Sequence, residues 1–271
     1  MSGSAIILGI GSDIGRELAG RLAADGWTVA GTHRGAQAPA GLPKNARSTA
    51  CDMASAQDTA AAARWLREAA GAWDLVVVAA GTEEPIGSFW ECDEQEWEKG
   101  IEVNALGPLR LVRALYPARR AGGAPCVAFF SGSGTNSAAP AYSAYAASKL
   151  FLIKMCELLD AESPDTSFFI LGPGIVRTKI HEQTLKAGKR AGGNHRKVAD
   201  FLGSADPGTS HDDIYACLRW CMAAGKPALG GRNISLAHDA WRGGGAALLR
   251  RLKEDAGFYK LRRSGNETKL K

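Results

Sequence analysis

The chain has 271 residues, 45% of them hydrophobic and 23% charged, with a formal net charge of +5. That balance excludes a disordered or fibrous polymer and suits a globular protein able to bury a full core, within the size range of one large α/β domain spanning residues 1–271. No apolar run reaches the length of about 18 residues that a membrane span needs, and no basic, then apolar leader opens the chain, so no membrane partner and a cytoplasmic location are expected.

Much of the positive excess lies in a basic C-terminal tail, residues 243–271, with Arg250, Arg251, Lys253, Lys260, Arg262, Arg263, Lys269 and Lys271. It reads as a solvated, partly frayed end. No basic array interleaved with aromatics is present, which argues against nucleic acid as a partner. The six cysteines, Cys51, Cys92, Cys126, Cys156, Cys217 and Cys221, follow neither a disulfide-framework nor a metal-ligand spacing, so buried or idle thiols in a reducing compartment and no metal are expected.

In chain order, Ala5 to Gly9 is a short apolar run that reads as a buried parallel strand. It enters Gly9-Ile10-Gly11-Ser12-Asp13-Ile14-Gly15, and a helix from Arg16 to Asp25 follows. Strand, glycine-rich turn and helix make a phosphate site: the turn lets backbone approach closely, while free N–H groups and the helix dipole attract the anion. A second strand, Trp27 to Thr32, ends at His33 and Arg34. An acidic residue at that corner would hold the ribose diol of NAD(H); a basic one suits the 2′-phosphate of NADP(H), so NADP(H) is the expected cofactor.

After the loop Ala36 to Lys44, a short strand through Ala50 ends at Cys51-Asp52-Met53, and Ala54 to Ala70 reads as a helix. Asp74 to Ala80 is a strongly apolar strand ending at Gly81. The acidic segment Thr82 to Glu98 leads into a helix expected over Ile101 to Ala121, which contains Asn104. Pro125 to Phe130 is a strand delivering Ser131-Gly132-Ser133 at its carboxyl end, where ligands sit in open α/β sheets. The next helix runs to about Glu162 and carries Tyr145 and Lys149 four residues apart, hence on one face. An ammonium beside a phenol favours the phenolate, so Tyr145 is expected to exchange a proton well below the pKa of about 10 of a free phenol.

Thr166 to Leu171 is a further strand, and Gly172-Pro173-Gly174-Ile175-Val176-Arg177-Thr178 turns into a polar, glycine-dotted insertion. Residues 178–210 read as a long inserted loop acting as substrate lid. Its Lys179, Lys186, Lys189, Arg190, Arg196 and Lys197 outweigh Glu182 and Asp200, which leaves open an anionic substrate. A helix over Asp212 to Ala224 and a strand over Arg232 to Ala237 complete a doubly wound parallel sheet of about seven strands in three layers, a Rossmann fold.

Taken together, these motifs resemble the short-chain dehydrogenase/reductase family in its single-domain branch. The family's Thr-Gly-x-x-x-Gly-x-Gly turn retains Gly9 and Gly15, with Leu8 and Asp13 replacing the threonine and middle glycine. Asp52-Met53 resembles the pair bordering the adenine, and Val78-Ala79-Ala80-Gly81 resembles Asn-Asn-Ala-Gly with both asparagines lost. Asn104 matches the helix asparagine that holds a water beside the lysine, Tyr145 and Lys149 the catalytic pair, and Pro173-Gly174-Ile175-Val176-Arg177-Thr178 the segment flanking the nicotinamide.

The family's substrate serine falls on Gly132, leaving Ser131 or Ser133 to supply the hydroxyl, with a lean to Ser133. The resemblance implies hydride transfer between nicotinamide and a small carbonyl or alcohol substrate, with Tyr145 as general acid/base. It also implies a homodimer or homotetramer. Two alternatives stand beside it: a reductase or epimerase-like enzyme acting on a nucleotide-linked or phosphorylated sugar, and a catalytically silent NADP-sensing or partner-binding module.

Overall fold

The apolar runs of the sequence become strands that are covered on both faces. A computed structural model describes residues 3–263. In β1 (Ser4–Leu8), Ala5 and Ile7 enter one core while Ile6 and Leu8 enter the other. β4 (Leu75–Val78) divides the same way, Leu75 and Val77 against Val76 and Val78. A strand buried on both sides has no reason to alternate polar and apolar residues, which is why these segments read as continuous hydrophobic runs.

The remaining strands are β2 (Thr28–His33), β3 (Arg47–Ala50), β5 (Cys126–Phe130), β6 (Ser167–Gly172) and β7 (Arg232–Ser235). All pair in parallel, in the order β3-β2-β1-β4-β5-β6-β7. One face is covered by α1 (Asp13–Ala24), α8 (His211–Ala224) and α10 (Ala246–Glu254), through Leu18, Leu22, Ile214, Leu218, Leu248 and Leu252. The other is covered by α2 (Ala56–Ala70), α4 (Gly107–Leu115) and α5 (Ser143–Glu162), through Leu66, Leu111, Leu115, Leu152 and Cys156. The strand order reverses at β1, which lies between β2 and β4, so the loops leaving β1 and β4 diverge and open a crevice at their carboxyl ends.

Three expectations need correction. The helix expected over Ile101 to Ala121 starts earlier, as α3 (Glu94–Ile101), because the Asp93 carboxylate caps it by accepting the Glu96 N–H at 3.0 Å. It then widens into a π-helical turn, Glu102–Leu106, closed by Gly107 N–H donating to the Glu102 carbonyl. Pro108 has no N–H to continue an α-helical ladder to Asn104, and α4 ends at Leu115.

The insertion 178–210 is not an open loop. It folds into α6 (His181–Ala187), a short 3₁₀ turn at Gly188–Ala191 and α7 (Gly193–Gly203). The Arg177 guanidinium donates to the carbonyls of Phe201, Leu202, Ser204 and Asp206, and stacks over the Phe201 ring. One side chain thereby ties the entry of the insertion to its exit.

The tail is also partly built into the fold. α10 buries Leu248 and Leu252, and Arg262 donates to the Glu157 carboxylate at 2.6 Å. The buried Arg232 donates to the carbonyls of Phe258 and Leu252. Lys269 and Lys271 lie outside the described residues. Among the described residues no helix is long and apolar enough to cross a membrane. A short α9 (Lys226–Leu229) joins α8 to β7.

Candidate active site

At the carboxyl end of β1 the chain turns at Gly9 with φ 90°, and a β-carbon there would lie 2.5 Å from the Ala80 nitrogen. Only glycine lets the turn after β1 pack against the segment after β4. Ser12 closes the turn, its hydroxyl donating to the Gly9 carbonyl at 2.8 Å and accepting the Gly15 N–H at 3.0 Å. Among the described residues the main-chain N–H groups of Gly11, Asp13 and Ile14 have no acceptor. Unpaired donors at the amino end of a twelve-residue helix fit a phosphate. The Asp13 carboxylate turns aside, accepting the Lys179 N–H at 2.7 Å and pairing with Arg16 at 3.2 Å.

The other expected cofactor residues lie at or just beyond the carboxyl ends of β2, β3, β4 and β6. His33 is buried at the end of β2, its Nδ1 without a partner among the described residues, and Arg34 stands exposed beside it, without an ion pair among them. Met53 is buried, while Asp52 is exposed and accepts the Ala54 N–H at 2.9 Å, capping its own turn. Ala79 donates its N–H to the Leu8 carbonyl, which holds Ala79, Ala80 and Gly81 against the glycine-rich turn. Beyond β6, Pro173 and Val176 are buried, Gly174 has φ 74°, and Ile175 is exposed.

The centre of the site is α5. Tyr145 and Lys149 are both buried there, with the Lys149 Nζ 5.4 Å from the centre of the tyrosine ring. Asn104 joins them from the wide turn between α3 and α4. Its side-chain amide accepts the Thr82 N–H at 2.8 Å and donates to the Thr82 carbonyl at 2.9 Å, pinning the segment that follows β4 beside Lys149. A β-carbon built on the intervening Gly81 would lie 3.3 Å from Asn104 Oδ1 and 3.8 Å from Lys149 Nζ, so the three groups share one corner.

The expected acidification of the phenol runs the other way. Burial, reinforced by the charge of Glu83, pushes the Tyr145 pKa above that of a free phenol. Burial alone pulls the Lys149 ammonium down to about 8. Among the described residues neither side chain makes a hydrogen bond that would stabilise its charged form.

The serines are placed differently from the sequence reading. Ser131 is buried at the end of β5, its N–H donating to the Leu171 carbonyl, and its hydroxyl is turned toward Gly172. Ser133, the favoured candidate, is exposed. Between them Gly132 meets the phenol: a β-carbon there would overlap the Tyr145 hydroxyl. The backbone path puts Gly132 against the Tyr145 hydroxyl, and among the described residues neither serine hydroxyl hydrogen-bonds to it.

Several polar residues at the site had no role in the sequence reading. Glu83 is buried and accepts the Thr184 hydroxyl at 2.7 Å, and Thr184 shares a 2.7 Å hydrogen bond with the Tyr142 hydroxyl. Gln183 accepts the Glu83 N–H at 2.7 Å. These contacts dock α6 over the segment following β4, while Ala187 and Ala191 pack with Tyr142 and Tyr145. The sole hint in the sequence was an acidic residue two positions beyond the strand-end glycine. Lys186, Lys189 and Arg190 all project from the exposed side of the insertion.

A model of the short chain dehydrogenase family matches residues 4–188. An uncharacterized oxidoreductase of Schizosaccharomyces pombe is 27% identical over 189 residues, covering 66% of this chain and 74% of that protein. Dehydrogenase/reductase SDR family member 4 of Homo sapiens is 27% identical over 176 residues, and the match spans 62% of this chain and 63% of that relative's length. A solved short chain dehydrogenase/reductase from Saccharomyces cerevisiae superposes with a TM-score of 0.75 at 20% identity, over 88% of this chain and 98% of that one. A short chain dehydrogenase from Burkholderia cenocepacia in complex with NADP gives 0.69 at 23% identity, over 86% and 95%. By the family match over most of its length, with the parallel seven-stranded sheet, this chain belongs to the short-chain dehydrogenase/reductase family of NAD(P)-dependent oxidoreductases.

Proposed function

We propose that the chain reduces a carbonyl, or oxidises the corresponding alcohol, using NADP(H), with Tyr145 as the proton-transferring group. The observation that carries this reading is the buried corner where Tyr145, Lys149 and Asn104 converge beside the segment following β4. Bound nicotinamide supplies or accepts the hydride there. Tyr145, protonated because burial raises its pKa, is the acid that gives its proton to a developing alkoxide. Lys149 gives the phenolate a cationic neighbour once the proton has left, and Asn104 holds residues 81–82 in place. Ser131, buried at the strand end, is the hydroxyl we assign to orienting substrate.

The glycine-rich turn Gly9 to Gly15 holds the pyrophosphate on its unpaired N–H groups, and residues 173–178 border the nicotinamide. Asp52 and Met53 border the adenine. Support for NADP(H) comes from Arg34, exposed at the end of β2 with no carboxylate paired to it among the described residues. The NADP complex of the Burkholderia relative is consistent with this choice. The helices α6 and α7 form the substrate lid. Phe151 and Leu158, exposed seven positions apart on α5, support self-association through that helix.

The test is cofactor titration with NADPH and NADH, followed by turnover on a panel of ketones, sugars and acyl thioesters. NADPH-dependent reduction is expected. Tighter binding of NADH overturns the assignment of Arg34, and NADPH binding without turnover of any carbonyl leaves the silent-module reading.

A further inference from the structure

The mechanism above leaves the buried carboxylic acid Glu83 without a task. Glu83 is only 8% exposed, lying between β4 and α3, where a carboxylate is costly unless paired. One oxygen, Oε2, accepts the Thr184 hydroxyl at 2.7 Å. Since Thr184 spends its proton on Glu83, the Tyr142 hydroxyl donates to Thr184, giving a relay Tyr142 to Thr184 to Glu83 that ends on the acid. The second oxygen, Oε1, has no partner among the described residues, yet it is not sealed off from solvent.

Glu83 borders the corner of Tyr145 and Lys149: it follows Thr82, which Asn104 pins beside Lys149, and its partner Thr184 shares a hydrogen bond with Tyr142, which packs with Tyr145. Its charge also acts on the phenols of both Tyr145 and Tyr142. Lys186, Lys189 and Arg190 are exposed and do not compensate it. An acid with one satisfied and one open oxygen beside the proton donor repels an anionic group and welcomes a hydrogen-bond donor.

We propose that Glu83 is a specificity-determining residue whose open carboxyl oxygen accepts a hydroxyl of the substrate near the reacting carbon, making the preferred substrate class a neutral hydroxylated carbonyl compound or polyol. This rests on the carbonyl-reductase reading and sharpens it, against the anionic substrate that the basic insertion suggested. Glu83 forms and breaks no covalent bond: the carbonyl carbon takes the hydride, and its oxygen takes the Tyr145 proton.

The experiment compares the wild-type chain with Glu83→Gln and Glu83→Leu on three substrates of one length: a hydroxy ketone, the same ketone without the hydroxyl, and the corresponding keto acid. Far-UV circular dichroism and a thermal melt establish that each variant is folded, and NADPH affinity is measured for each. Glu83→Leu is expected to raise KM for the hydroxy ketone roughly 10- to 100-fold, while KM for the plain ketone moves less than about 2-fold. Glu83→Gln, which keeps an acceptor without the charge, is expected to recover part of the hydroxy-ketone KM and to lower KM for the keto acid.

Equal losses on the hydroxy ketone and the plain ketone would mean that Glu83 serves only to dock α6, and would overturn the assignment while leaving the reductase standing. Equal wild-type KM values for those two substrates would do the same. A wild-type chain that binds NADPH but turns over none of the three overturns the reductase reading, and this inference with it.

Discussion

At the glycine-rich turn, the charged side chain Asp13 has cations and a main-chain donor around it: Arg16 at 3.2 Å, Lys179 Nζ at 3.9 Å and the Lys179 N–H at 2.7 Å. The donors left open there belong to the backbone. At the other end of the crevice the arrangement is inverted. Lys149 is buried with no hydrogen bond among the described residues, Glu83 is buried with one oxygen paired, and Tyr145 packs against the backbone of Gly132. Binding a phosphate needs fixed dipoles that cost nothing to reorganise, whereas moving a proton needs side chains whose charge states are close enough in energy to change. The turn accordingly holds its charges in pairs, and the corner of Tyr145 and Lys149 leaves them weakly compensated.

Substitutions at the two ends should fail in different ways. The largest effect is expected from Tyr145→Phe, which removes the transferable proton: kcat should fall roughly 10²- to 10⁴-fold with NADPH affinity within about 2-fold of wild type. A matching loss of cofactor affinity would show that the two ends are not separable.

Gly9→Ala should do the reverse. It places a methyl group 2.5 Å from the Ala80 nitrogen at φ 90°, so a loss of about 1–3 kcal/mol in stability and weakened cofactor binding are expected in denaturant melts and fluorescence titration.

Lys149→Met should abolish turnover yet stabilise the cofactor-free chain by roughly 1–3 kcal/mol at pH 7, because it removes a buried ammonium without a hydrogen-bond partner. The pH dependence has a definite sign. With the folded ammonium at about 8 against 10.5 when unexposed to such burial, the unfolded chain binds more protons between those values. The folding penalty is complete below pH 8, and wild-type stability should rise with pH across that window. In Lys149→Met the rise should disappear; a rise of the same size in both chains would assign it to another group.

The smallest effect belongs to the tail. Arg262 holds the Glu157 carboxyl down at about 2, a contribution present above pH 4.5 and lost as pH falls toward 2. The pair is partly exposed, so Arg262→Ala should cost on the order of 0.5 kcal/mol, visible as a small shift of the acid-unfolding midpoint with no change in kcat.

Much of this molecule is legible without its structure because local rules are enough for it. The apolar run at Ala5 to Leu8, the glycines after it, and the four-residue spacing of Tyr145 and Lys149 report backbone geometry that a few neighbours determine. Asn104 and the residues at 173–178 were expected by resemblance; the structure sets Asn104 beside Thr82 and Lys149, and residues 173–178 at the exit of β6. The basic corner at Arg34 lay where a strand end predicts it.

Other features were decided only by contacts between distant segments. Residues 178–210 looked like an open loop because glycines interrupt them, yet Arg177 gathers carbonyls from 24 to 29 residues away and closes the segment into helices. The direction of the Tyr145 pKa shift depends on burial and on Glu83, neither of which a helical spacing contains. That Gly132 meets the phenol depends on how β5 exits the sheet against α5. Periodicity, turn chemistry and motif order were enough for the doubly wound sheet, the glycine-rich turn and the tyrosine–lysine pair. Tertiary packing alone decided the environment of that pair, because desolvation and charge proximity are properties of a folded interior.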